Sequence, residues 1–412
     1  MVGVDVNGGK VDLVNGGRSP IVEEGTAELV QGAVSGGRLR ATLDAGEAVA
    51  AGEVSLICVG TPSLPNGDLD LSCVRRVSEQ IGAALRERAD FHVVVCRSTV
   101  LPSTMRNVIV PILERCSGKR AGGDFGVCHN PEFLREGTAV HDFRHPAKIV
   151  IGEMDRRSGD IVAGLYDHLD APMIRTDLET SEMVKYADNV WHALKVCFAN
   201  EIGGVCKAMG LDSHRVMDIF CQDTKLNLSA QYLKPGFAFG GSCLPKDVRA
   251  LTYKARTLDL ELPVLNAILP SNNRQIAEAF RMISTLGRRK VGILGLSFKA
   301  GTDELRESPM VELVERLLGK GYDVLIYDEK VRLADLVGTN RDYVLNRIPH
   351  ITPLLVDSPQ KVMDHAEVLV VGNKAPEFAA LVQQARKGQT VVDLARVVDR
   401  TSKDGEYEGI CW

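Results

Sequence analysis

The sequence predicts an α/β protein with two parallel-sheet domains, joined by a long central helix and a helical region. Largely apolar runs at 54–59 and 91–96 are typical of parallel strands that are buried on both faces. A strand–glycine loop–helix–strand order begins again at Lys290. Between these segments, residues 180–208 have helical spacing and contain no proline. Both sheet domains are therefore expected to be Rossmann-like.

The composition excludes several classes of function. The 412 residues carry a formal net charge of −5, which gives no reason to expect nucleic-acid or anionic-membrane partners. The sequence contains no run of 18 apolar residues, and Met1–Val6 lacks the basic region of a signal peptide. The ten cysteines form no C-x-x-C pair, so no metal site is expected, and free thiols indicate a reducing cytoplasm.

The first predicted strand ends in an acid. Asp5 follows Val2–Val4, and Lys10 lies at the start of a predicted helix. In a dinucleotide-binding fold, a carboxylate at the end of the second strand binds the ribose hydroxyls of adenosine. The alternative is an ordinary surface acid. The glycine loop that would decide between them lies about 20 residues upstream in such folds, and the sequence begins on this strand.

Two further predicted strands end in small hydroxyl residues. The runs that start at Val54 and Phe91 lead to Thr61 and Thr99. The carboxyl ends of parallel strands meet at one edge of the sheet, where ligands bind in open α/β folds, so we expect both threonines at a ligand site. The alternative for each is a helix cap or turn residue.

A third strand end carries two carboxylates. Glu132 and Glu136 follow the predicted strand at Gly126 and are four residues apart. Acids at this spacing are typical of a solvated surface. At the ligand edge of the sheet they become candidates for acid–base chemistry or for binding hydroxyl groups.

The central helix carries a polar stripe. Lys185, Asn189, His192 and Asn200 fall within an arc of roughly 80° at 100° per residue. A solvated face more often mixes Lys with Glu, so this stripe predicts a polar pocket. The helix is also suited to connect two domains or to form a dimer core.

Residues 234–250 surround a single cysteine, Cys243. Glycines allow close approach of the backbone to a ligand, and Pro245 suits the first turn of a helix. Helix-start amides and Lys246 are expected to favour the thiolate, which attacks electrophiles. Asp247 is close enough in sequence to act as a base or to hold a water. The alternative is a buried structural cysteine.

The second α/β segment offers two cations. It runs from Lys290 through a glycine loop and a helix to a strand that ends at Asp328. Lys299 and Arg306 lie in the loop, where they are candidates to bind anionic groups. The alternative is a pair of solvated surface cations.

Six motifs in this order resemble the UDP-glucose/GDP-mannose dehydrogenase family, and the resemblance covers essentially the whole chain. These nucleotide-sugar 6-dehydrogenases oxidise a sugar alcohol carbon to a carboxylate in two NAD-dependent steps. The motifs are Val59-Gly-Thr-Pro62, Arg97-Ser-Thr-Val100, Asn130-Pro-Glu-Phe-Leu-Arg-Glu136, Lys185-Tyr-x-x-Asn189, residues 236–247 and Leu296-Ser-Phe-Lys299.

Within the family, the resemblance favours the members that oxidise GDP-mannose to GDP-mannuronate for alginate-type polysaccharides. It rests on residues 221–229, on Leu244 after the cysteine, on residues 248–253 and on the terminal Gly409–Trp412. Two alternatives stay open. One is a dehydrogenase of UDP-glucose or UDP-N-acetylmannosamine, and the other is a truncated, inactive protein that binds a sugar nucleotide.

The resemblance implies a role for each candidate residue. Cys243 attacks the C6 aldehyde, and the resulting thiohemiacetal is oxidised to a thioester that water hydrolyses. Lys185 and Asn189 would stabilise the oxyanion at C6, and Asp247 or Glu132 would position or deprotonate water. The expected contacts of the sugar nucleotide are Glu136, Lys185, Asn189, His192, Asn200, Tyr232, Lys234, Phe237, Gly240 and Lys299. Those of NAD are Asp5, Lys10, Thr61, Thr99, Lys246 and Arg306.

The resemblance also implies a division of labour along the chain. The expected domains are an NAD-binding domain at 1–175, a central helical and dimerisation domain with the cysteine loop at 176–275, and a sugar-nucleotide-binding domain at 276–412. A homodimer or higher assembly would complete the substrate sites.

The sequence departs from the family pattern at two places. Lys234 stands where close relatives have Arg, which weakens bidentate contacts without removing the charge. The first family strand and its Gly-x-Gly-x-x-Gly loop are absent from the sequence. That strand is central in a 3-2-1-4-5-6 sheet, so we expect two open strand edges and a pyrophosphate without its helix N-terminus.

Overall fold

The computed structural model describes residues 1–225, 232–331, 343–346, 348–398 and 406–412. These residues form two compact units. The first unit contains Met1–Asp188 and Arg249–Asp259, and the second contains Asn189–Val248 and Leu260–Trp412. Both units are discontinuous in sequence, and the three-domain division expected from the sequence stays a prediction. Residues 226–229 of the motif that begins at Cys221 lie outside the described residues.

The first unit contains seven strands in two sheets. The larger sheet has the order β3-β4-β5-β6-β7, and β1 pairs with β2 alone in a separate parallel sheet. Pairing in the larger sheet is parallel except between β5 and β6, where it is antiparallel. The strands are β1 (Val2–Val4), β2 (Arg40–Thr42), β3 (Val54–Ile57), β4 (Val93–Cys96), β5 (Gly126–His129), β6 (Ile149–Glu153) and β7 (Met173–Thr176).

Each of the two sheets in the first unit has an open strand edge. Among the described residues, β1 pairs only with β2, and β3 pairs only with β4. Each strand therefore has one unpaired edge. Val4 and Leu56 on these strands are exposed, although both side chains are apolar.

Helices cover the sheets of the first unit. Residues 93–96 in β4 are completely buried, as the apolar run predicts. Helix α4 packs closely on α5 at Gly82. A Cβ added at this position would lie only 2.7 Å from the Cβ of Cys116, so a larger residue would push the helices apart. The helices are α1 (Gly8–Asn15), α2 (Thr26–Ser35), α3 (Ala45–Ala51), α4 (Ser72–Arg86), α5 (Val110–Ser117), α6 (Ala139–Arg144) and α7 (Arg156–Gly164), with a π-helical turn at Met105–Ile109.

Helix α8 (Leu178–Ala208) spans 31 residues and contains the boundary between the two units. The second unit then continues with α9 (Ser213–Phe220), α10 (Leu244–Thr257) and α11 (Pro263–Thr285), of which α10 extends into the first unit. Its sheet has the order β12-β11-β10-β8-β9, and every pair is parallel. Its described residues also include β8 (Lys290–Leu294), α12 (Pro309–Gly319), β9 (Asp323–Tyr327), α13 (Pro359–His365), β10 (Val368–Val371), α14 (Pro376–Val382), β11 (Thr390–Asp393) and β12 (Glu406–Gly409), with a 3-10 turn at Thr352–Leu354.

The architecture confirms the predicted class of two Rossmann-like α/β sheets and a long central helix. None of the helices in the described part of the chain has the length and apolar character that a membrane span requires.

Candidate active site

Cys243 lies at the start of α10 with its side chain exposed. The backbone N–H of Asp247 donates to the carbonyl oxygen of Cys243 at 3.0 Å, which closes the first helical turn. The free amides of this turn and the helix dipole favour a negative charge at its N-terminus. The structure thus gives Cys243 the exposed, helix-start position that the sequence predicts for a reactive thiol.

Glycines bring the loop before Cys243 close to the C-terminal sheet of the same unit. Gly241 has φ = 80°, and a Cβ there would lie 3.1 Å from the ring of Phe298. A Cβ at Gly240 would lie 2.4 Å from the carbonyl oxygen of Glu307. A larger side chain at Gly240 would therefore displace the loop, so the glycine has a structural role in addition to any contact with substrate.

Asn200 from α8 binds the backbone of this loop. Its Oδ1 accepts from the N–H of Gly236 at 2.9 Å, and its Nδ2 donates to the carbonyl oxygen of Phe237 at 3.3 Å. Asn200 is only 5% exposed. Its amide therefore holds the loop in place, and its contact with a sugar nucleotide stays a prediction.

Two residues of α11, which the sequence analysis missed, hold the same loop. Asn272 donates to the carbonyl oxygen of Phe239 and accepts from its N–H, both at 2.9 Å. Gln275 donates to the carbonyl oxygen of Gly236 at 2.6 Å. Two amides three residues apart lie on one face of a helix, and this spacing is the signal that could have indicated them.

Asn189 and Lys246 form a polar network around the buried carboxylate of Asp247 in the second unit. The Asp247 carboxylate is fully buried, accepts from Nδ2 of Asn189 at 2.5 Å and contacts Nζ of Lys246 at 2.5 Å. Two donors therefore hold the carboxylate in a fixed orientation. The Lys246 ammonium binds Asp247, and its effect on a thiolate at Cys243 stays a prediction.

Lys185 pairs with Glu132 in the first unit. Nζ of Lys185 lies 2.9 Å from Oε1 of Glu132, whose Oε2 accepts from the N–H of Leu134 at 2.6 Å. Lys185 is 4% exposed, and its ammonium also lies 5.6 Å from the centre of the Phe133 ring. A buried, paired ammonium of this kind can stabilise an oxyanion without reorganising.

Four further side chains of the second unit form two pairs, one aromatic and one charged. The rings of His192 and Tyr232 stack with centroids 4.6 Å apart. Tyr232 has φ = 66°, a left-handed conformation that is uncommon for a residue with a side chain. Nζ of Lys234 lies 3.4 Å from Oδ1 of Asp218, and both side chains are exposed.

The candidate NAD contacts of the first unit lie at strand ends. Asp5 follows β1, accepts from the N–H of Asn7 at 2.8 Å and lies 3.5 Å from Nζ of Lys10. The hydroxyl of Thr61 donates to the carbonyl oxygen of Thr99 at 2.8 Å, which joins the loops after β3 and β4. An accessible carboxylate after β1 fits the ribose hydroxyls of a dinucleotide.

The remaining candidates lie in loops. Glu136 is in the segment between β5 and α6, and Lys299 follows β8. Nε of Arg306 donates to Oε1 of Glu304 at 2.8 Å, so a carboxylate already binds part of its guanidinium. Phe237 is partly buried against the core of the C-terminal sheet.

Two buried residues of the first unit also shape its strand ends and were missed from the sequence. Asn130 accepts from the Tyr166 hydroxyl at 2.5 Å and donates to the carbonyl oxygen of Val150 at 2.8 Å, which fixes the start of the loop to Glu132. Glu182 on α8 accepts from the backbone N–H groups of Ser103 and Met105 at 2.7 and 2.8 Å.

The fold and these motifs define the class as an NAD-binding dehydrogenase. Residues 1–170, 179–274 and 292–400 match the NAD binding, central and UDP binding domains of the UDP-glucose/GDP-mannose dehydrogenase family, and the chain belongs to this family.

Known relatives align over the whole chain. A GDP-mannose 6-dehydrogenase of Pseudomonas putida is 55% identical over 100% of this chain and 94% of its own length. The structure of a ternary complex of GDP-mannose dehydrogenase from Pseudomonas aeruginosa is 53% identical, covers 100% of this chain and 94% of its own, and has a TM-score of 0.55. A UDP-glucose dehydrogenase from Pyrobaculum islandicum is 35% identical and covers 100% of this chain and 92% of its own, with a TM-score of 0.90.

Proposed function

We propose that this chain oxidises GDP-mannose to GDP-mannuronate in two NAD-dependent steps, as part of the synthesis of an alginate-type polysaccharide. The observation that carries the proposal is the exposed Cys243 at the start of α10, in the same unit as the Asn189–Asp247–Lys246 network. Family membership and the names of relatives above 50% identity support GDP-mannose as the substrate.

The residues of the chain perform the covalent steps of this reaction. NAD, when bound, would supply the oxidant for both oxidations. The Cys243 sulfur adds to the C6 aldehyde, and the new C–S bond is retained through oxidation to the thioester. Lys185 and Asn189 stabilise the negative charge on the C6 oxygen. Asp247 or Glu132 then removes a proton from the water that cleaves the thioester and releases the carboxylate and the thiol.

The other candidates bind the two substrates. NAD is bound by Asp5, Lys10, Thr61, Thr99, Lys246 and Arg306, and Asp5 contacts the ribose. The sugar nucleotide is bound by Glu136, His192, Asn200, Tyr232, Lys234, Phe237, Gly240 and Lys299. Asn200 contributes in part by fixing the cysteine loop.

Substrate-dependent NADH formation tests the proposal. We expect two NADH per GDP-mannose by absorbance, and much lower rates with UDP-glucose and UDP-N-acetylmannosamine at equal concentrations. Cys243→Ala should abolish this turnover, whereas Cys73→Ala, an exposed thiol on α4, should leave it unchanged. Faster turnover of a UDP-sugar would change the substrate. Binding of GDP-mannose by calorimetry without any NADH would instead support an inactive sugar-nucleotide-binding protein.

We also propose self-association through α8 and α9. Trp191, Phe198, Ile219 and Phe220 are exposed apolar residues of these helices, and the rings of Phe198 and Phe220 lie 6.0 Å apart. An exposed aromatic cluster of this kind is typical of an interface. Sedimentation of the parent as a dimer or larger, and of Phe198→Glu as a smaller species, would support it.

A cytoplasmic location completes the proposal. None of the ten cysteines, all of which lie in the described residues, forms a disulfide, as a reducing compartment would keep them. Cell fractionation tests this location, and recovery outside the cytoplasm would contradict it.

A further inference from the structure

Lys195 is a buried cation on α8 that the proposed mechanism does not use. The residue is only 5% exposed. Its Nζ lies 5.8 Å from the ring centres of both Trp191 and Tyr232. Among the described residues, no carboxylate forms an ion pair with this ammonium. Burying an ammonium without a counter-charge is unfavourable, and the two aromatic faces offset part of that cost.

The Tyr232 ring contacts both His192 and Lys195. It stacks on His192 at 4.6 Å, and the Lys195 ammonium lies over its face. The backbone of Tyr232 has φ = 66°. A left-handed backbone is unfavourable for a residue with a side chain, so this conformation persists where the surrounding contacts hold it.

The burial of Lys195 also affects the charge on its ammonium group. It lowers the pKa of the Lys195 ammonium, an effect that the nearby Cys221 thiol opposes. Lys195 lies three residues after His192 on α8, but outside the polar stripe that the sequence analysis identified. The sequence alone therefore gave it no role.

We propose that Lys195 is a positioning residue for sugar-nucleotide binding, which holds the stacked Tyr232–His192 pair in its binding conformation through its cation–π contact. This inference rests on the proposed function, in which both aromatic residues contact the sugar nucleotide. Lys195 itself acts through Tyr232 and does not contact the substrate.

Substitutions that keep the length of the side chain test the role of the charge. Lys195→Met removes the cation, and we expect KM for GDP-mannose to rise about fivefold to tenfold with kcat within about twofold. Lys195→Arg keeps a cation over the ring and should restore KM to within about threefold of the parent. Lys207→Met is a matched control on the same helix and should leave KM unchanged.

A double-mutant cycle tests the route through Tyr232. Once Tyr232→Leu has removed the ring, Lys195→Met should raise KM by less than about twofold further. Full additivity of the two changes would overturn the proposal, as would a Lys195→Met enzyme with unchanged KM or a Lys195→Arg enzyme as weak as Lys195→Met.

Calorimetric binding separates this inference from the proposed function. The Kd of GDP-mannose is measured in a Cys243→Ala background, where no turnover is needed, and Lys195→Met should raise it by the same factor as KM. If the parent forms no NADH while Kd still responds to Lys195, the proposed function fails and the positioning role stands. If the parent turns over GDP-mannose and Kd does not respond, only the positioning role fails. A parent that does not bind GDP-mannose overturns both.

Discussion

Replacing Asn272 by leucine should both destabilise the second unit and slow the reaction. Asn272 is 6% exposed, and its amide makes two hydrogen bonds of 2.9 Å to the backbone of Phe239, which is 8% exposed. Leucine has the same branched shape and the same number of side-chain heavy atoms but satisfies neither group. Each buried group left without a partner costs about 1–3 kcal/mol, so the expected loss of unfolding free energy is about 2–6 kcal/mol.

The assay compares two neighbouring positions on α11. Asn273 is exposed, so Asn273→Leu presents the same change to solvent and should alter stability by no more than about 0.5 kcal/mol. Urea unfolding followed by circular dichroism should show a lower midpoint for Asn272→Leu at an unchanged slope. Because this loop leads to Cys243, kcat should also fall by about tenfold or more.

Equal midpoints for the two leucine variants would refute this reasoning. Such a result would mean that the backbone of Phe239 finds other partners and that the Asn272 amide does not hold the loop. A lower midpoint with unchanged kcat would retain the stabilising role and remove the link to catalysis.

Two further predictions concern a carboxylate and a buried imidazole. Asp247→Asn should accumulate a thioester on Cys243 that intact-protein mass spectrometry detects after one turnover; if Glu132→Gln traps it instead, Glu132 is the base. Burial lowers the pKa of His129 from 6.5 to about 4, so below pH 6.5 the unfolded chain binds the proton and the native state does not. Unfolding free energy should fall by about 3 kcal/mol between pH 6.5 and 4 on this account. His129→Asn, which can keep a hydrogen bond to Ser181, should make the fall of the urea midpoint with pH less steep. Burial also lowers the pKa values of His92 and His214 to about 4, so part of the fall should remain. An equally steep dependence would exclude His129 as a source.

The sequence was sufficient to predict burial but insufficient to predict strand direction. The long helix α8 follows from 29 residues of helical spacing without proline, and β4 follows from its apolar run. The strand at Ile149–Glu153 is equally apolar, yet it pairs antiparallel with β5. An apolar run reports that both faces are covered, and it carries no information on the direction in which the strand crosses the sheet.

The position of Cys243 could be predicted from its neighbours in the sequence, whereas hydrogen-bond partners that are distant in sequence could not. The exposure of Cys243 at a helix start follows from the glycines and Pro245 around it. The bond from Asn189 to Asp247 joins residues 58 positions apart, and that from Asn272 to Phe239 joins residues 33 positions apart. Such pairs depend on how helices pack, which spacing along one helix does not determine.

The division between the β1–β2 pair and the five-stranded sheet should govern hydrogen exchange in the first unit. Backbone amides of Val2–Val4 are protected by a single three-residue partner strand, whereas those of β4 lie between two strands in a fully buried layer. We expect the β1–β2 pair to open locally at a small fraction of the global unfolding free energy. Since Asp5 sits at the end of β1, a dinucleotide bound there would have to order this pair. Ordering the pair would then oppose binding. The affinity for the dinucleotide would therefore decrease as the local stability of the β1–β2 pair decreases.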